Sequence, residues 1–155
     1  MIQIIKGDLT ETDCKIIAHG VNCQNVMGSG VARALFEKWP KVKTQYHKTY
    51  EIDAELGFTY DYLGTIQSVS VEKEKIVLNC FTQEYFGNDG MKYLSYDALV
   101  QTMNKAHKFC KAYSENQIAI PKIGCGLAGG DWTIVEAILN SIFPSDFTVK
   151  VYIKD

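Results

Sequence analysis

Two glycine-rich turns are the segments of this sequence best suited to chemistry. The first covers residues 22–30 (NCQNVMGSG) and the second covers residues 124–130 (GCGLAGG). Each follows a short apolar run typical of a buried strand and leads into an amphipathic helical pattern. A glycine turn at a helix start presents free backbone N–H groups and the positive end of the helix dipole, which together favour a phosphate group. Two such turns predict a ligand with more than one anionic group.

Neither turn has the pattern of an ATP-hydrolysing or hydride-transferring site. A P-loop needs a lysine followed by Ser or Thr, and both turns lack that pair. The first turn matches the dinucleotide pattern G-x-G-x-x-G only in part, because Arg33 stands at the last position. Glu51 and Asp53 lie near the distance expected for a ribose-binding acid, but their neighbourhood does not resemble a strand end. The turns therefore predict a diphosphate held by neutral amides.

Composition indicates a single globular domain over residues 1–155. The 155 residues suffice for one core, and 46% hydrophobic and 22% charged residues are ordinary values. A net charge of −2 without a basic stripe disfavours non-specific nucleic-acid binding. The five cysteines form no C-x-x-C pair, and the sequence has no signal-peptide or membrane-spanning pattern. We therefore expect a reduced, cytoplasmic, monomeric protein with no membrane partner.

Strand and helix patterns alternate along the chain. Apolar runs predict strands at 2–6, 15–19, 64–71, 75–81, 117–120 and 147–153. A charged turn at 72–74 predicts that the third and fourth strands form a hairpin. Apolar residues at helical spacing predict helices over 30–39, 95–113 and 132–142, with 40–54 more helix-like than strand-like. The alternation predicts an α/β fold with a largely parallel sheet, whose ligands bind beyond the carboxyl ends of the strands.

Several short motifs, taken in order, make the sequence resemble a macro domain. They are Gly7-Asp8-Leu9-Thr10, His19-Gly20-Val21-Asn22 leading into Met27–Ala32, and Pro121–Leu127, followed by Tyr152 in the closing strand. The set covers essentially the whole chain, and its order is more specific than any one motif. The resemblance implies a three-layer α/β/α sandwich with a central mixed, largely parallel sheet. It also implies binding of ADP-ribose, whose two phosphates suit the two turns.

The resemblance implies roles in ADP-ribose binding for particular residues. Asp8 would accept a hydrogen bond from the adenine amino group, beside the backbone of Leu9, and Tyr152 would flank the adenine. Asn22 would bind the hydroxyls of the distal ribose. The two turns would wrap the diphosphate and distal ribose through Gly28, Ser29, Gly30, Val31, Ile123, Gly124, Cys125, Gly126, Leu127 and Ala128.

Each of these assignments has a purely structural alternative. Gly-Asp is common in turns, so Asp8 could stabilise its own turn, and Asn22 could serve the loop backbone. The glycines could be needed only for positions with positive φ. Cys23 and Cys125 flank the predicted pocket, but most cysteines are buried packing residues, and we assign their thiols no chemical role.

The pair His19-x-x-Asn22 resembles the branch of the family that hydrolyses ADP-ribose 1''-phosphate. We expect His19 to activate water or to attack phosphorus, while loop amides stabilise the developing charge. Asn22 would fix the distal ribose, and Asp89 or Asp131 would orient His19 or handle the leaving-group proton. The structural alternatives are a core histidine at position 19, a helix N-cap at Asp131 and a simple turn at Asp89.

Two other activities within the family remain as alternatives. One glycohydrolase branch has Asp at the position of Ala128 and a lysine nucleophile just after the strand that corresponds to 77–81. This chain has Thr82-Gln83-Glu84 there, so the branch ranks behind a non-catalytic ADP-ribose reader. The scattered histidines form no metal-ligand set, and the proposed chemistry needs neither metal nor cofactor. The prediction is a phosphoric monoester hydrolase that binds ADP-ribose or its 1''-phosphate.

Overall fold

A six-stranded sheet lies between two layers of helices. The structure is a computed structural model that describes residues 1–57, 61–87 and 89–154. Its strands are β1 (Ile2–Lys6), β2 (Ile16–Asn22), β3 (Ile66–Glu72), β4 (Lys75–Gln83), β5 (Gln117–Ile120) and β6 (Thr148–Ile153). Its helices are α1 (Gly30–Lys38), α2 (Lys41–Leu56), α3 (Tyr96–Ala112) and α4 (Trp132–Ile142). The predicted α/β/α sandwich is confirmed.

The strand order brings together segments that are distant in the sequence. Across the sheet the order is β1-β6-β5-β2-β4-β3, and within the described residues every pair is parallel except β3 with β4. That antiparallel pair is the hairpin predicted at 72–74, and Glu74 takes a positive φ of 62° in its turn. Because β2 and β5 are neighbours, the glycine turns that follow them meet at one edge of the sheet.

The side chains of β2 alternate between two hydrophobic cores. Ile16 and Ala18 pack in the core that α3 and α4 cover, whereas Ile17 and Val21 pack in the core that α1 and α2 cover. A strand with both faces covered appears in the sequence as a continuous apolar run, as β2 does. The same alternation places His19 on the face of α1 and α2.

The sequence underestimates the length of β2, which was predicted to end at His19 and ends at Asn22. The pairing register with β4 shifts between Val21 and Asn22, as it does at a β-bulge. A bulge re-aims the side chains that follow it. Asn22 is therefore the last residue of a strand, set at an altered angle, and does not belong to a free loop.

A buried polar network connects β2 with β4, β3 and α2. His19 is 1% exposed, and its Nε2 lies 2.5 Å from the Oδ1 of Asn79, its register partner on β4. Asn79 Nδ2 donates to the backbone oxygen of Val42 and to Oε1 of Gln67, at 3.3 and 3.0 Å. Asn79 Oδ1 must then accept, so His19 carries its proton on Nε2. His19 Nδ1 is left without a partner among the described residues.

Burial of His19 predicts a pH-dependent stability. Desolvation lowers the pKa of His19 from about 6.5 to about 4, which outweighs the opposite effect of the bond to Asn79. Between these values the unfolded state binds the proton and the folded state does not, so stability falls as the pH falls. We expect the wild type to lose about 2 kcal/mol more than a His19→Gln variant between about pH 7.5 and 5.

Urea unfolding followed by circular dichroism at both pH values measures this difference. The His19→Gln variant is the matched control, because its amide can keep the hydrogen bond to Asn79 and does not titrate. Parallel loss of stability in the two proteins would show that His19 is not held neutral in the fold.

Candidate functional site

A cleft of about 890 Å³ opens beyond the carboxyl ends of β2 and β5, a volume typical of small-molecule sites. Both glycine turns form its walls, and the end of β6 forms one limit of the cleft. Its lining residues are His19–Asn22, Val26–Ala32, Gln83, Phe86, Gly87, Pro121–Ala128 and Tyr152–Lys154. The sequence-predicted members of the two turns, 28–31 and 123–128, are thus brought together in one cleft.

Unpaired backbone amides are the main polar groups that the two turns bring to the cleft. From Gly28 to Ala32, no N–H group donates to another group of the described residues, and the same holds from Gly126 to Ala128. Ser29 is the N-cap of α1, yet its side chain makes no capping hydrogen bond. The N-terminus of α1 therefore keeps free donors and the positive end of its dipole at the cleft. This arrangement can bind anionic oxygens without a charged side chain.

The second turn is held rigid by its own hydrogen bonds. Gly130 N donates to Gly124 O at 2.8 Å, and Ala128 O accepts from the backbone N–H groups of Tyr93 and Leu94 at 2.6 and 3.0 Å. A Cβ added to Gly130 would lie 2.6 Å from Gly124 O. Only glycine allows this close approach of the two ends of the turn. The free amides between them are therefore fixed in position before any ligand binds.

The first turn is organised around the side chain of Asn22. Its Oδ1 accepts from Gln24 N at 3.0 Å, and its Nδ2 donates to Val26 O at 2.8 Å. The hydroxyl of Tyr46, on α2, lies 2.9 Å from the same Oδ1 and 2.8 Å from Asn22 O. Asn22 therefore stabilises its own loop, as the structural alternative expected. The second N–H of its side-chain amide has no partner among the described residues and can still donate to a ligand.

At the opposite end of the cleft, the structure brings Tyr152 to the site but leaves Asp8 and Leu9 outside the lining residues. Asp8 Oδ1 accepts from Thr10 N and Thr10 Oγ1 at 2.9 and 2.8 Å, and these bonds lower the pKa of the carboxyl. Asp8 thereby caps the 3₁₀ turn Leu9–Glu11, as the structural alternative expected. The Tyr152 hydroxyl donates to Thr12 Oγ1 at 2.8 Å.

The four candidate catalytic residues are not gathered around one point. Asp131 caps α4 by accepting from Thr133 N at 2.8 Å, and it does not line the cleft. Asp89 also lies outside the lining; its carboxylate accepts from the Tyr93 hydroxyl at 2.8 Å, which lowers its pKa. Asn22 and His19 both line the cleft, although the His19 ring is buried against Asn79. The catalytic roles of Asp89 and Asp131 stay predictions that no contact here supports.

The cleft contains residues that the sequence did not indicate. Gln83 is the last residue of β4, and Phe86 follows that strand. Because the carboxyl end of β4 lies beside that of β2, strand order alone would have pointed to both residues. Phe86 is 50% exposed at the cleft. Tyr46, which contacts Asn22 from outside the cleft lining, gives no signal in the sequence for another reason: with Val42 it forms an i, i+4 apolar pair of α2, the usual pattern of a core face.

The thiols near the cleft are not in a reactive state. Burial, with the negative charges of Glu84 and Asp61, raises the pKa of Cys23 to about 12, and burial also raises that of Cys125. Over residues 1–57, 61–87 and 89–154, no three His, Cys, Asp or Glu side chains are grouped as a metal site requires. Over the same ranges no helix combines the length and apolarity needed to cross a membrane.

Known proteins with similar sequences cover nearly the whole chain. The chain is 31% identical to the uncharacterized 17.5 kDa protein in the tk-vs intergenic region of Enterobacteria phage T4, over 91% of this chain and 89% of that protein. It is 26% identical to an ADP-ribose 1''-phosphate phosphatase of Lodderomyces elongisporus, over 97% and 98%. It is 25% identical to a DNA ADP-ribosyl glycohydrolase of Mycobacterium tuberculosis, over 92% of this chain but 39% of that protein.

Solved structures agree with the sequence matches. A protein of unknown function from Bacteroides thetaiotaomicron superposes with a TM-score of 0.84 at 32% identity, over 100% of this chain and 98% of that one. A macrodomain protein from Streptomyces coelicolor superposes with a TM-score of 0.81 at 27% identity, over 99% of each chain. The family profile described as Macro domain matches residues 18–139, which include both glycine turns. The chain belongs to the macro domain family.

Proposed function

We propose that the cleft binds ADP-ribose and that the domain hydrolyses ADP-ribose 1''-phosphate. The observation that carries the binding proposal is the convergence of unpaired amides from 28–32 and 126–128 in one cleft. A diphosphate is long enough to reach both groups of donors. Neutral amides can bind it even though the chain has a net charge of −2. The volume of about 890 Å³ accommodates the two riboses and the adenine as well.

The hydrolytic step needs a water, an electrostatic cradle and an acceptor for a proton. Water would attack the phosphorus of the 1''-phosphate, the P–O bond to the ribose would break, and the products would be phosphate and ADP-ribose. The amides of the turns would stabilise the charge on the phosphoryl oxygens. His19 is neutral above about pH 4, and its unprotonated Nδ1, which is buried and unpaired among the described residues, would accept the proton of the attacking water and return it to the ribose oxygen as the P–O bond breaks. The name of the Lodderomyces relative supports this reaction at 26% identity.

Two observations weigh against the glycohydrolase alternative. The segment Thr82-Gln83-Glu84 lacks the lysine nucleophile of the glycohydrolase branch, and Ala128 stands where that branch has its aspartate. Gln83 of that segment and Ala128 both line the cleft, so the missing charged groups would belong to the site itself. The non-catalytic reader shares every binding feature proposed above, and only a measurement of turnover separates it from the phosphatase.

A side chain at Gly126 should block ADP-ribose binding without unfolding the domain. A Cβ built at Gly126 meets no atom within 4 Å, and its φ is not positive, so the fold tolerates a larger residue. We expect Gly126→Leu to weaken ADP-ribose binding by about 100-fold or more, as judged by calorimetric titration, because the side chain would occupy the cleft.

Two further variants control for this result. Gly126→Ala adds one carbon at the same site and should weaken binding much less. Gly124→Ala should lower the melting temperature instead, because φ is +75° there and the new Cβ would lie 2.6 Å from Leu94 Cδ2. Full affinity in Gly126→Leu would argue against a ligand between the two turns.

Asp8 should decide the preference for adenine. We expect the wild type to favour ADP-ribose over its inosine analogue by about tenfold, because a carboxylate accepts from the adenine amino group but is repelled by a carbonyl oxygen. Asp8→Ala should abolish the preference. Asp8→Asn keeps an oxygen that can accept from Thr10, so it preserves the turn and tests base recognition alone. If both variants keep the wild-type preference in competition titrations, Asp8 serves only its turn.

Phosphate release from ADP-ribose 1''-phosphate tests the proposed reaction directly. We expect turnover by the wild type, and a loss of about 100-fold or more in His19→Gln with ADP-ribose binding intact, because the variant lacks the basic nitrogen. Tight ADP-ribose binding with no release by the wild type would identify a reader. Release of ADP-ribose from modified protein or nucleic acid would identify a glycohydrolase.

The same assay separates the structural from the catalytic roles of the two aspartates. Asp131→Asn keeps a residue that caps helices well, so its stability should equal that of the wild type. Asp89→Asn can still accept the hydrogen bond from Tyr93. Unchanged turnover in both variants would show that neither aspartate takes part in the reaction and that the catalytic groups are among those that line the cleft.

A further inference from the structure

We propose that Tyr46, a residue of α2 outside the cleft lining, positions Asn22 so that its amide Nδ2 faces the distal ribose of the ligand. The inference rests on the proposed binding of ADP-ribose. Through this contact, the buried side chain of Tyr46 would favour ligands that carry a distal ribose over ligands that end at the diphosphate.

The surrounding backbone determines which way the amide of Asn22 points. Gln24 N is a donor, so the atom at 3.0 Å from it must be Oδ1, and Val26 O is an acceptor, so the atom at 2.8 Å from it must be Nδ2. The amide therefore has a single orientation that satisfies both loop groups. Its second N–H remains available on the nitrogen side.

Tyr46 completes this arrangement as a donor. Its hydroxyl lies 2.8 Å from Asn22 O and 2.9 Å from Asn22 Oδ1, and both of these atoms can only accept. The proton of the hydroxyl must therefore point towards Asn22. Burial raises the pKa of Tyr46 to about 12, so the hydroxyl keeps its proton at neutral pH.

The packing of Tyr46 makes the contact rigid. The residue is 0% exposed, and its ring stacks on Phe81 of β4 with the centroids 5.9 Å apart. Asn22 follows the register shift at the end of β2, and without Tyr46 its side chain would be held only by Gln24 and Val26 of its own turn. The hydroxyl thus ties the strand end to a helix that cannot move without disrupting the core.

Tyr50 provides a matched control for loss of a buried hydroxyl. Its ring lies 5.5 Å from that of Tyr46, one helical turn away, and its hydroxyl is also buried. That hydroxyl interacts with the hydroxyl of Tyr46 but makes no hydrogen bond to Asn22. Tyr50→Phe therefore removes a hydroxyl from the same region and leaves both hydrogen bonds from Tyr46 to Asn22 in place.

The experiment compares affinities for ADP-ribose and for ADP, which lacks the distal ribose, by calorimetric titration. We expect Tyr46→Phe to bind ADP-ribose about tenfold more weakly and ADP as the wild type does, whereas Tyr50→Phe should change neither. In an Asn22→Ala background, Tyr46→Phe should have no further effect, since the side chain through which it acts is gone. An equal loss for both ligands, or an equal effect of Tyr50→Phe, would overturn the proposal.

A second measurement does not depend on ADP-ribose. In the ¹⁵N–¹H spectrum of the ligand-free protein, the side-chain NH₂ signals of Asn22 should shift and broaden in Tyr46→Phe and stay unchanged in Tyr50→Phe. Unchanged Asn22 signals in Tyr46→Phe would overturn the positioning role whatever the protein binds. If the wild type binds ADP and ADP-ribose equally, the recognition of the distal ribose fails; if it binds neither, the proposed function itself fails.

Discussion

The parallel pairing of β2 with β5 is the constraint on which the site depends. These strands come from opposite halves of the chain, and Ile17 lies against Ala119 in the centre of the sheet. Both residues are fully buried in the core that α1 and α2 cover, so the hydrophobic effect that drives folding also aligns the two strands. A parallel pair must end at the same edge of the sheet, and each strand is followed by a glycine turn. The cleft is the geometric consequence of packing two apolar strands side by side.

A cradle of neutral amides explains how a chain with a net charge of −2 can be built for a diphosphate. Backbone N–H groups carry no net charge, so they need no counter-ions and do not attract nucleic acid in general. Each amide must be held in place before the ligand binds. The entropic cost of ordering a flexible amide would otherwise offset the binding free energy that its hydrogen bond contributes. The second turn meets this need through the bond from Gly130 to Gly124, and the first through Asn22. Rigid turns therefore let neutral amides contribute to the binding of an anion.

Sequence reasoning was strongest where one local rule determines the outcome. Alternating apolar patterns located the strands, and the predicted bounds of β1 and β5 are the observed ones. It failed where two elements meet: β2 continues to Asn22 because pairing with β4 extends it, which no pattern within 15–22 could reveal. The contact between Tyr46 and Asn22 has the same origin, since it depends on how α2 lies on the sheet. For Asp8 and Asp131 the sequence offered two roles, and the observed contacts are those of turns and caps.

Helix α2 emerges from these contacts as the support of the cleft, although none of its residues lines it. It holds the two polar residues of β2 by different routes: Tyr46 donates to Asn22 directly, and Val42 O accepts from Asn79, which in turn accepts from His19. Polar groups buried at a sheet–helix interface cost stability unless every partner is in register. Such a network therefore fixes the position of α2 against β2 more narrowly than apolar packing alone would. The carboxyl end of β2, which lines the cleft, is thus held in place by Tyr46, Asn79 and Val42, which do not line the cleft themselves.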